Sequence, residues 1–181
     1  LMIGAEPPQL QHHQSKAGDV VLAVRGLSMP KLDQFGTTLA DIGFDVRAGE
    51  IVGVAGVSGN GQQELLYALS GEDTRAAPAS ITVAGQAAGQ LPPQRRRALG
   101  LHFVPEERLG RGAVPTMGLA HNLLLTRNEA VGGGGWLKLG ALEAQAADII
   151  RRFNVKAGGP QAAAKSLSGG NLQKFIVGRE I

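Results

Sequence analysis

The 181-residue chain contains no cysteine, which excludes disulfide bonds and thiolate metal sites. Aromatic residues make up only 4% of it, and none interleaves the densest basic run, Arg95 to Arg97. That run is typical of a solvated helix face rather than a nucleic-acid surface. No segment approaches the roughly 18 consecutive apolar residues of a membrane-spanning helix. Basic residues exceed acidic ones by only 18 − 15 = 3, so we expect no nucleic-acid partner.

Hydrophobic residues make up 43% of the sequence, which is ordinary for a globular protein and sufficient for one domain with a core. Residues 1–19 are rich in proline and polar residues and are predicted to be a linker. The adjacent His12 and His13 in this segment are more typical of a solvated tail than of a metal site. Leu1 to Ala5 lack a preceding basic region, so no secretory signal is predicted. The folded domain is expected over residues 20–181.

A glycine-rich stretch near residue 60 organises this domain. Ile51 to Ala55 are apolar and largely β-branched, which predicts a short strand buried on both faces. Gly56, Gly59 and Gly61 follow and permit positive φ and close approach of a ligand. Gln62 to Ser70 then form a predicted helix. A glycine turn at a helix N-terminus binds anions through unpaired N–H groups and the positive end of the helix dipole.

The spacing of Gly56 and Gly61 matches the phosphate-loop pattern G-x-x-x-x-G-K-[ST]. Gln62 stands where the pattern has lysine, and Gln63 stands where it has serine or threonine. The loop geometry is therefore predicted, but without the phosphate-pairing cation and the magnesium-binding hydroxyl. The alternative is a strand-to-helix turn that binds nothing. The candidate nucleotide-binding residues here are Gly56, Val57, Ser58, Gly59, Asn60, Gly61, Gln62 and Gln63.

A second glycine-rich helix start lies at Leu167 to Gln173. Ser168 is a favourable N-cap residue, and its hydroxyl is expected to accept a hydrogen bond from an unpaired backbone N–H. Gly169 and Gly170 leave the first N–H groups uncovered, which again suits an anion. An ordinary capped helix without a ligand is the alternative. The helix has one apolar side that includes Leu172 and Phe175.

Hydrophobic periodicity predicts the remaining elements. Strands are predicted over residues 20–24, 37–46, 81–83 and 101–104, and helices over residues 94–99, 119–125 and 142–153. Gly132 to Gly135 are predicted to form a flexible break, and Glu106 to Gly118 a long loop. Long loops often carry function. Arg108 and Arg111 in this loop are candidates for phosphate or partner contacts, although each is more typical of a solvated face.

With both glycine motifs in place, residues 20–181 resemble the ATP-binding subunit of an ABC transporter. Gly56 to Gln63 match the Walker A position, Leu167 to Gln173 match the ABC signature, and Glu106 replaces the usual Gln of the Q-loop. The resemblance is to the second of two fused nucleotide-binding halves in bacterial importers of simple sugars and nucleosides, the nucleoside type more than the sugar type. It rests on four segments: Gly49 to Gly56, Asn60 to Leu65, Val104 to Arg108, and Leu167 to Lys174.

The resemblance implies an α/β fold of the P-loop NTPase-like ABC nucleotide-binding type. Its sheet would be mixed, with an antiparallel β subdomain and a helical subdomain over roughly residues 105–181. In this family two halves dimerise head to tail, and each ATP lies between the Walker A loop of one half and the signature of the other. The signature residues facing the partner's ATP would be Ser168, Gly169, Gly170, Asn171 and Gln173. Phe35 is a candidate for stacking on adenine, although a core position is the expectation we favour.

The implied cofactors are ATP and Mg²⁺, with Mg²⁺ weak or absent at the chain's own loop. The implied partners are the other nucleotide-binding half and the transmembrane permease subunits, at the cytoplasmic face of the plasma membrane. The sequence ends inside the signature helix, so it resembles a truncated piece that is inactive alone. It holds no catalytic residue or metal ligand of the family's Walker B region. Self-association is one way to cover the apolar faces that this leaves.

Two other functions remain open from the sequence. One is a non-catalytic nucleotide-binding or interface module, which the absence of the catalytic carboxylates favours. The other is a soluble ABC-type protein that acts on nucleic acid. The loop Val104 to Arg108 and the lack of a strongly charged insertion argue against the second.

Overall fold

A computed structural model of the chain describes residues 17–127, 132–133 and 136–181. The predicted linker up to residue 16, with His12 and His13, lies outside the described residues. The described chain forms two compact units, one up to Gly100 and the other from Leu101 to Ile181.

The first unit is built on a four-stranded antiparallel sheet. Its strands are β1 (Val20–Met29), β2 (Leu39–Arg47), β3 (Ile81–Val83) and β4 (Gln86–Ala87), in the order β2-β1-β3-β4. Val24 of β1 pairs with Phe44 on one side and Ile81 on the other. The predicted strand over residues 20–24 thus continues to Met29, and the predicted strand 81–83 is confirmed.

Two α-helices complete this unit, α1 (Gln62–Ser70) and α2 (Pro93–Ala98), with a 3₁₀ turn at Pro78–Ser80 between them. Helix α1 begins after Gly61 and ends at Gly71, and both glycines have a positive φ. Leu65 and Ala68 of α1 are buried. The helix predicted over residues 94–99 lies within one residue of α2 at each end.

The prediction that the basic run of α2 is a solvated face is wrong for Arg96. Its side chain is fully buried and donates to four backbone carbonyl oxygens: those of Leu91 (2.8 Å), Leu69 (2.8 Å), Gly89 (3.0 Å) and Ala68. Burial lowers the pKa of the Arg96 guanidinium from its ordinary value. Two of the acceptors lie in the last turn of α1, where carbonyls lack helical partners, so Arg96 fixes the end of that helix.

Two predicted strands are absent from the described chain. Ile51 to Ala55 form no strand, and Ile51 is 98% and Val54 60% exposed. Residues 101–104 also lie outside any strand. A parallel strand needs neighbours that pair with its N–H and C=O groups, and the described residues provide none for either segment. The prediction of a buried strand before the glycine loop is therefore wrong for this structure.

The second unit is mainly helical. It contains α3 (Leu119–Asn122), which continues as a 3₁₀ turn (Leu123–Leu125), then β5 (Gly132–Gly133), β6 (Trp136–Leu137), α4 (Leu139–Arg152), a 3₁₀ turn (Ala164–Ser166) and α5 (Gly169–Glu180). Strands β5 and β6 pair antiparallel. Of the break predicted at residues 132–135, the first two residues thus form a strand, and the other two lie outside the described residues. The helix predicted over residues 119–125 is confirmed as α3 with its 3₁₀ turn. The helix predicted over residues 142–153 is confirmed as α4, which begins three residues earlier.

The core of this unit lies between α3, α4 and α5. It includes Leu123, Ile149, Phe175 and Ile176. Gly178 allows α5 to approach α4 closely, because a Cβ atom there would lie 2.6 Å from Cδ2 of Phe153 and 2.8 Å from Cγ2 of Ile149. Close packing therefore fixes the C-terminal part of α5 in this core.

Asn122 is a buried hydrogen-bonding centre in this unit. Its Oδ1 accepts from the Val114 N–H at 2.8 Å, and its Nδ2 donates to the carbonyls of Met117 and Gly118, each at 3.1 Å. Its own carbonyl accepts from Nη1 of the buried Arg179 at 3.2 Å. The loop before α3 and the end of α5 are thereby fixed to the same residue. Within the described chain, no helix has both the length and the apolar character needed to cross a membrane.

Candidate functional site

The loop between residues 56 and 62 has part of the predicted backbone geometry. Gly59 and Gly61 adopt φ values of 89° and 95°, as the glycine pattern predicts. Gly56 does not have a positive φ, and its lack of a side chain serves a different purpose. A Cβ atom on Gly56 would lie 2.5 Å from Nε2 of Gln62, so glycine leaves room for that amide.

The side chain of Gln62 folds back across this loop. Its Nε2 donates to the Val57 carbonyl at 2.9 Å, and its Oε1 accepts from the Asn60 N–H at 3.1 Å. In a phosphate loop, backbone N–H groups of this kind bind the ligand. Here one of those donors is already used by the residue that replaces lysine. The loop is therefore closed by its own side chain.

Gln63 is directed along the helix instead of toward the loop. Its Nε2 lies 2.6 Å from the hydroxyl oxygen of Tyr67, one turn further along α1. Neither glutamine carries a charge to pair with phosphate, and neither supplies the hydroxyl that holds Mg²⁺ in a phosphate loop. The residues at this loop do not fit a magnesium-bound triphosphate well. Among the described residues, no cluster of three or more His, Asp or Glu side chains is arranged to hold a metal ion.

Thr37 and Glu64 brace the loop, and sequence reasoning did not identify either of them. The Thr37 hydroxyl donates to the Gly59 carbonyl at 2.9 Å, and the Thr37 N–H donates to Oε1 of Glu64 at 2.8 Å. Ser58 and the side chain of Val57 remain exposed. The expectation that Phe35 belongs to the core is wrong, because its side chain is 88% exposed.

At the second glycine motif, helix α5 begins directly after Ser168, as predicted. Ser168, Gly169 and Gly170 are exposed. The predicted cap hydrogen bond is absent, because the Ser168 hydroxyl makes no bond to the helix backbone. It accepts instead from Nδ2 of Asn171 at 2.9 Å. Ser168 therefore contacts a side chain of α5 instead of capping its backbone.

Asn171 links the start of α5 to the segment that follows α4. Its Oδ1 accepts from the Lys156 N–H at 2.9 Å, while its Nδ2 donates to Ser168. Both ends of the Asn171 amide are thus engaged within the unit. A serine hydroxyl has a single hydrogen to donate, and with its oxygen accepting from Asn171 that hydrogen is left for another acceptor.

Gln173 shows the same polarity one turn further along α5. Its Oε1 accepts from Nη1 of Arg108 at 3.2 Å. The Gln173 amide nitrogen retains two N–H donors, and its side chain is exposed. Glu106, the candidate at the Q-loop position, is also exposed and precedes Arg108 by two residues. The start of α5 therefore presents backbone, hydroxyl and amide donors together.

Comparisons with known proteins identify the family of this chain. A family profile described as ABC transporter matches residues 39–181. The chain belongs to the ABC transporter family. The match includes both glycine motifs and most of both units.

Three relatives illustrate the similarity to ABC import proteins. The ribose import ATP-binding protein RbsA 1 of Rubrobacter xylanophilus is 35% identical over 99% of the chain and 35% of the relative. The guanosine import ATP-binding protein NupO of Bacillus subtilis is 34% identical over 100% of the chain and 36% of the relative. The xylose import ATP-binding protein XylG of Burkholderia cenocepacia is 34% identical over 99% of the chain and 35% of the relative. The chain spans about a third of the length of these relatives.

A solved structure supports the ABC fold assignment. The ADP conformation of MJ1267, an ATP-binding cassette of an ABC transporter, matches 90% of the chain and 64% of the solved chain with a TM-score of 0.65. The sequence identity is 16%, so the likeness concerns the fold alone. The α/β cassette expected from the sequence is thus shown, although its described sheet is entirely antiparallel.

Proposed function

We propose that this chain is part of the ATP-binding component of an ABC importer for simple sugars or nucleosides. The similar relatives are named for the import of ribose, guanosine and xylose. We assign residues 20–181 to a partial ATP-binding domain whose helical subdomain covers roughly residues 105–181. The role of this half is to donate its signature to ATP bound by the partner half.

One observation carries this proposal, namely the hydrogen-bond polarity at the start of α5. The oxygen atoms of Ser168 and Gln173 already accept bonds from Asn171 and Arg108. What remains is a set of donors at the positive end of a twelve-residue helix. A phosphate group offers only acceptors and negative charge, so this surface is complementary to the γ-phosphate of ATP.

The chain's own loop is proposed to bind ATP weakly and without turnover. Residues Gly56 to Gln63 line it, but the Gln62 amide already bonds to Asn60 and Val57. The loop lacks a lysine to pair with the β- and γ-phosphates and a hydroxyl to hold Mg²⁺. Glu106, at the Q-loop position, is also proposed as a nucleotide-binding residue. When bound, ATP and Mg²⁺ would supply the phosphoryl chemistry mainly at the partner half's site.

The proposed partners are the other nucleotide-binding half and the transmembrane permease subunits. The proposed location is the cytoplasmic face of the plasma membrane, reached through those subunits. A non-catalytic interface module is the second candidate function, and the closed loop at Gln62 favours it. The two candidates differ in whether this half's signature is needed for ATP hydrolysis.

The test is ATP hydrolysis by the full-length protein with its permease. Ser168→Arg places a bulky cation at the donor surface and should reduce hydrolysis to near background. Gln62→Ala changes only the weak loop and should retain most of the activity. If Gln62→Ala abolishes turnover while Ser168→Arg does not, the two glycine motifs have been assigned the wrong roles. Retained activity in both variants would favour the interface module.

A further inference from the structure

Arg108 lies outside both glycine motifs but contacts the start of α5. Its Nη1 donates to Oε1 of Gln173 at 3.2 Å. A Cβ atom on Gly169 would lie 3.4 Å from Cζ of Arg108, so the guanidinium covers one side of that glycine. The two bonded residues are 65 positions apart in sequence. Their contact is therefore a product of the tertiary fold.

A tight loop holds Arg108 against the helix. The Gly112 N–H donates to the Glu107 carbonyl and the Gly110 N–H donates to the Ala113 carbonyl, each at 2.9 Å. Gly110 has a φ of 94°, which favours glycine. A Cβ atom on Gly112 would lie 2.9 Å from Cδ1 of the buried Ile176 in α5. The loop backbone therefore packs directly on the signature helix.

The hydrogen bond from Arg108 fixes which end of the Gln173 amide faces outward. A free glutamine side chain presents its oxygen and its nitrogen equally well. Arginine has five N–H donors and no acceptor, so beside Arg108 the amide oxygen faces the guanidinium. The amide nitrogen, with its two N–H donors, is then the end that does not face the guanidinium.

We propose that Arg108 is a positioning residue for the signature. It holds Gln173 as a hydrogen-bond donor toward the γ-phosphate of the partner's ATP. This inference rests on the proposed function, because it assumes that the signature faces that phosphate. It assigns a specific role to Arg108, for which the sequence alone favours a solvated loop face.

The experiment is a double-mutant cycle in the full-length protein with its permease, measuring kcat and KM for ATP. Arg108→Met should lower kcat about threefold to tenfold, the range of one typical net hydrogen bond, with little change in KM. Arg108→Lys, which keeps a donor, should recover part of the loss. Because Arg108 acts through Gln173, the double variant with Gln173→Ala should be no slower than Gln173→Ala alone. Arg95→Met, which removes an exposed arginine from α2, is the matched control.

Two results would overturn this role for Arg108: unchanged kcat in Arg108→Met, or losses that multiply in the double variant. Circular dichroism and the melting temperature of each variant separate a lost role from lost folding. The Ser168→Arg variant distinguishes a failure of this inference from a failure of the proposed function. Activity lost in Ser168→Arg but kept in Arg108→Met leaves the proposed function standing and removes only the role of Arg108. Activity kept in Ser168→Arg removes both.

Discussion

Gln62 donates a hydrogen bond from its Nε2 atom to the carbonyl oxygen of Val57, 2.9 Å away. The same side chain accepts from the Asn60 N–H, so it spans the loop in which a phosphate would lie. The phosphate loop of the ABC family has a lysine at this position, and its charge pairs with the β- and γ-phosphates. Gln62 makes hydrogen bonds within the loop, where the lysine would instead bind the phosphates of a ligand.

Replacing Gln62 by lysine should strengthen nucleotide binding at this loop. Gln62→Lys frees the Asn60 N–H and adds a positive charge, and each charge-assisted bond is worth about 1.5–3 kcal/mol. Calorimetric titration of the chain with ATP should show at least about tenfold tighter binding. Gln63→Lys adds the same charge one residue later and leaves the Gln62 bonds intact, so it should have a much smaller effect. Micromolar, magnesium-dependent binding by the unmodified chain would contradict the closed-loop description.

Reversing the polarity at Asn171 should impair hydrolysis by the full-length protein. In Asn171→Asp the new carboxylate still accepts from Lys156 but cannot donate to Ser168, so the serine hydrogen turns toward it. The surface that we propose faces the phosphate then loses a donor and gains a negative charge. We expect hydrolysis to fall about tenfold or more, the effect of one lost bond to a charged group.

Asn154→Asp is the matched control for that substitution. It adds the same charge at an exposed position of the same unit, and no hydrogen bond joins the Asn154 side chain to Ser168. Its hydrolysis rate should stay close to that of the unmodified protein. Equal losses in the two variants would indicate a general effect of charge and remove the orienting role of Asn171.

Arg96 should be a major contributor to the stability of the first unit. Arg96→Met keeps much of the side-chain volume but leaves the buried carbonyl groups of Ala68 and Gly89, and the partly buried ones of Leu69 and Leu91, without their donor. Each unsatisfied buried group costs about 1–3 kcal/mol, so the free energy of unfolding in urea should fall by roughly 3 kcal/mol or more. The exposed neighbouring residue Arg95 offers a control. Arg95→Met should change the free energy of unfolding by less than about 0.5 kcal/mol. A similar stability for both variants would contradict the capping role of Arg96.

Local sequence patterns predicted the parts of the site that depend on backbone conformation. The spacing of Gly59 and Gly61 predicted the turn with positive φ and the start of α1, because only glycine adopts that conformation readily. Gly169 and Gly170 likewise predicted the start of α5 with exposed N–H groups. These features depend on neighbouring residues alone, so they can be derived from the sequence.

The hydrogen-bond partners could not be predicted in the same way. Ser168 suits a helix cap, but Asn171 competes for its oxygen, and Arg108 meets Gln173 only after the intervening chain has folded. The apolar pattern of Ile51 to Ala55 indicates a strand, yet a strand also needs a partner, and none lies beside it among the described residues. Thr37, two residues before β2, donates to the Gly59 carbonyl. No local sequence pattern indicates this contact.

The central claim is that the first glycine motif binds ATP weakly and without turnover, while the second contacts ATP bound by the partner half. Counting the nucleotide trapped during turnover tests this claim most directly. The full-length protein with its permease is incubated with Mg²⁺, radiolabelled ATP and vanadate, and the retained ADP is counted per protein. One competent site predicts about one trapped ADP per protein, and Ser168→Arg should abolish the trapping. About two trapped ADP per protein, or undiminished trapping in Ser168→Arg, would contradict the account.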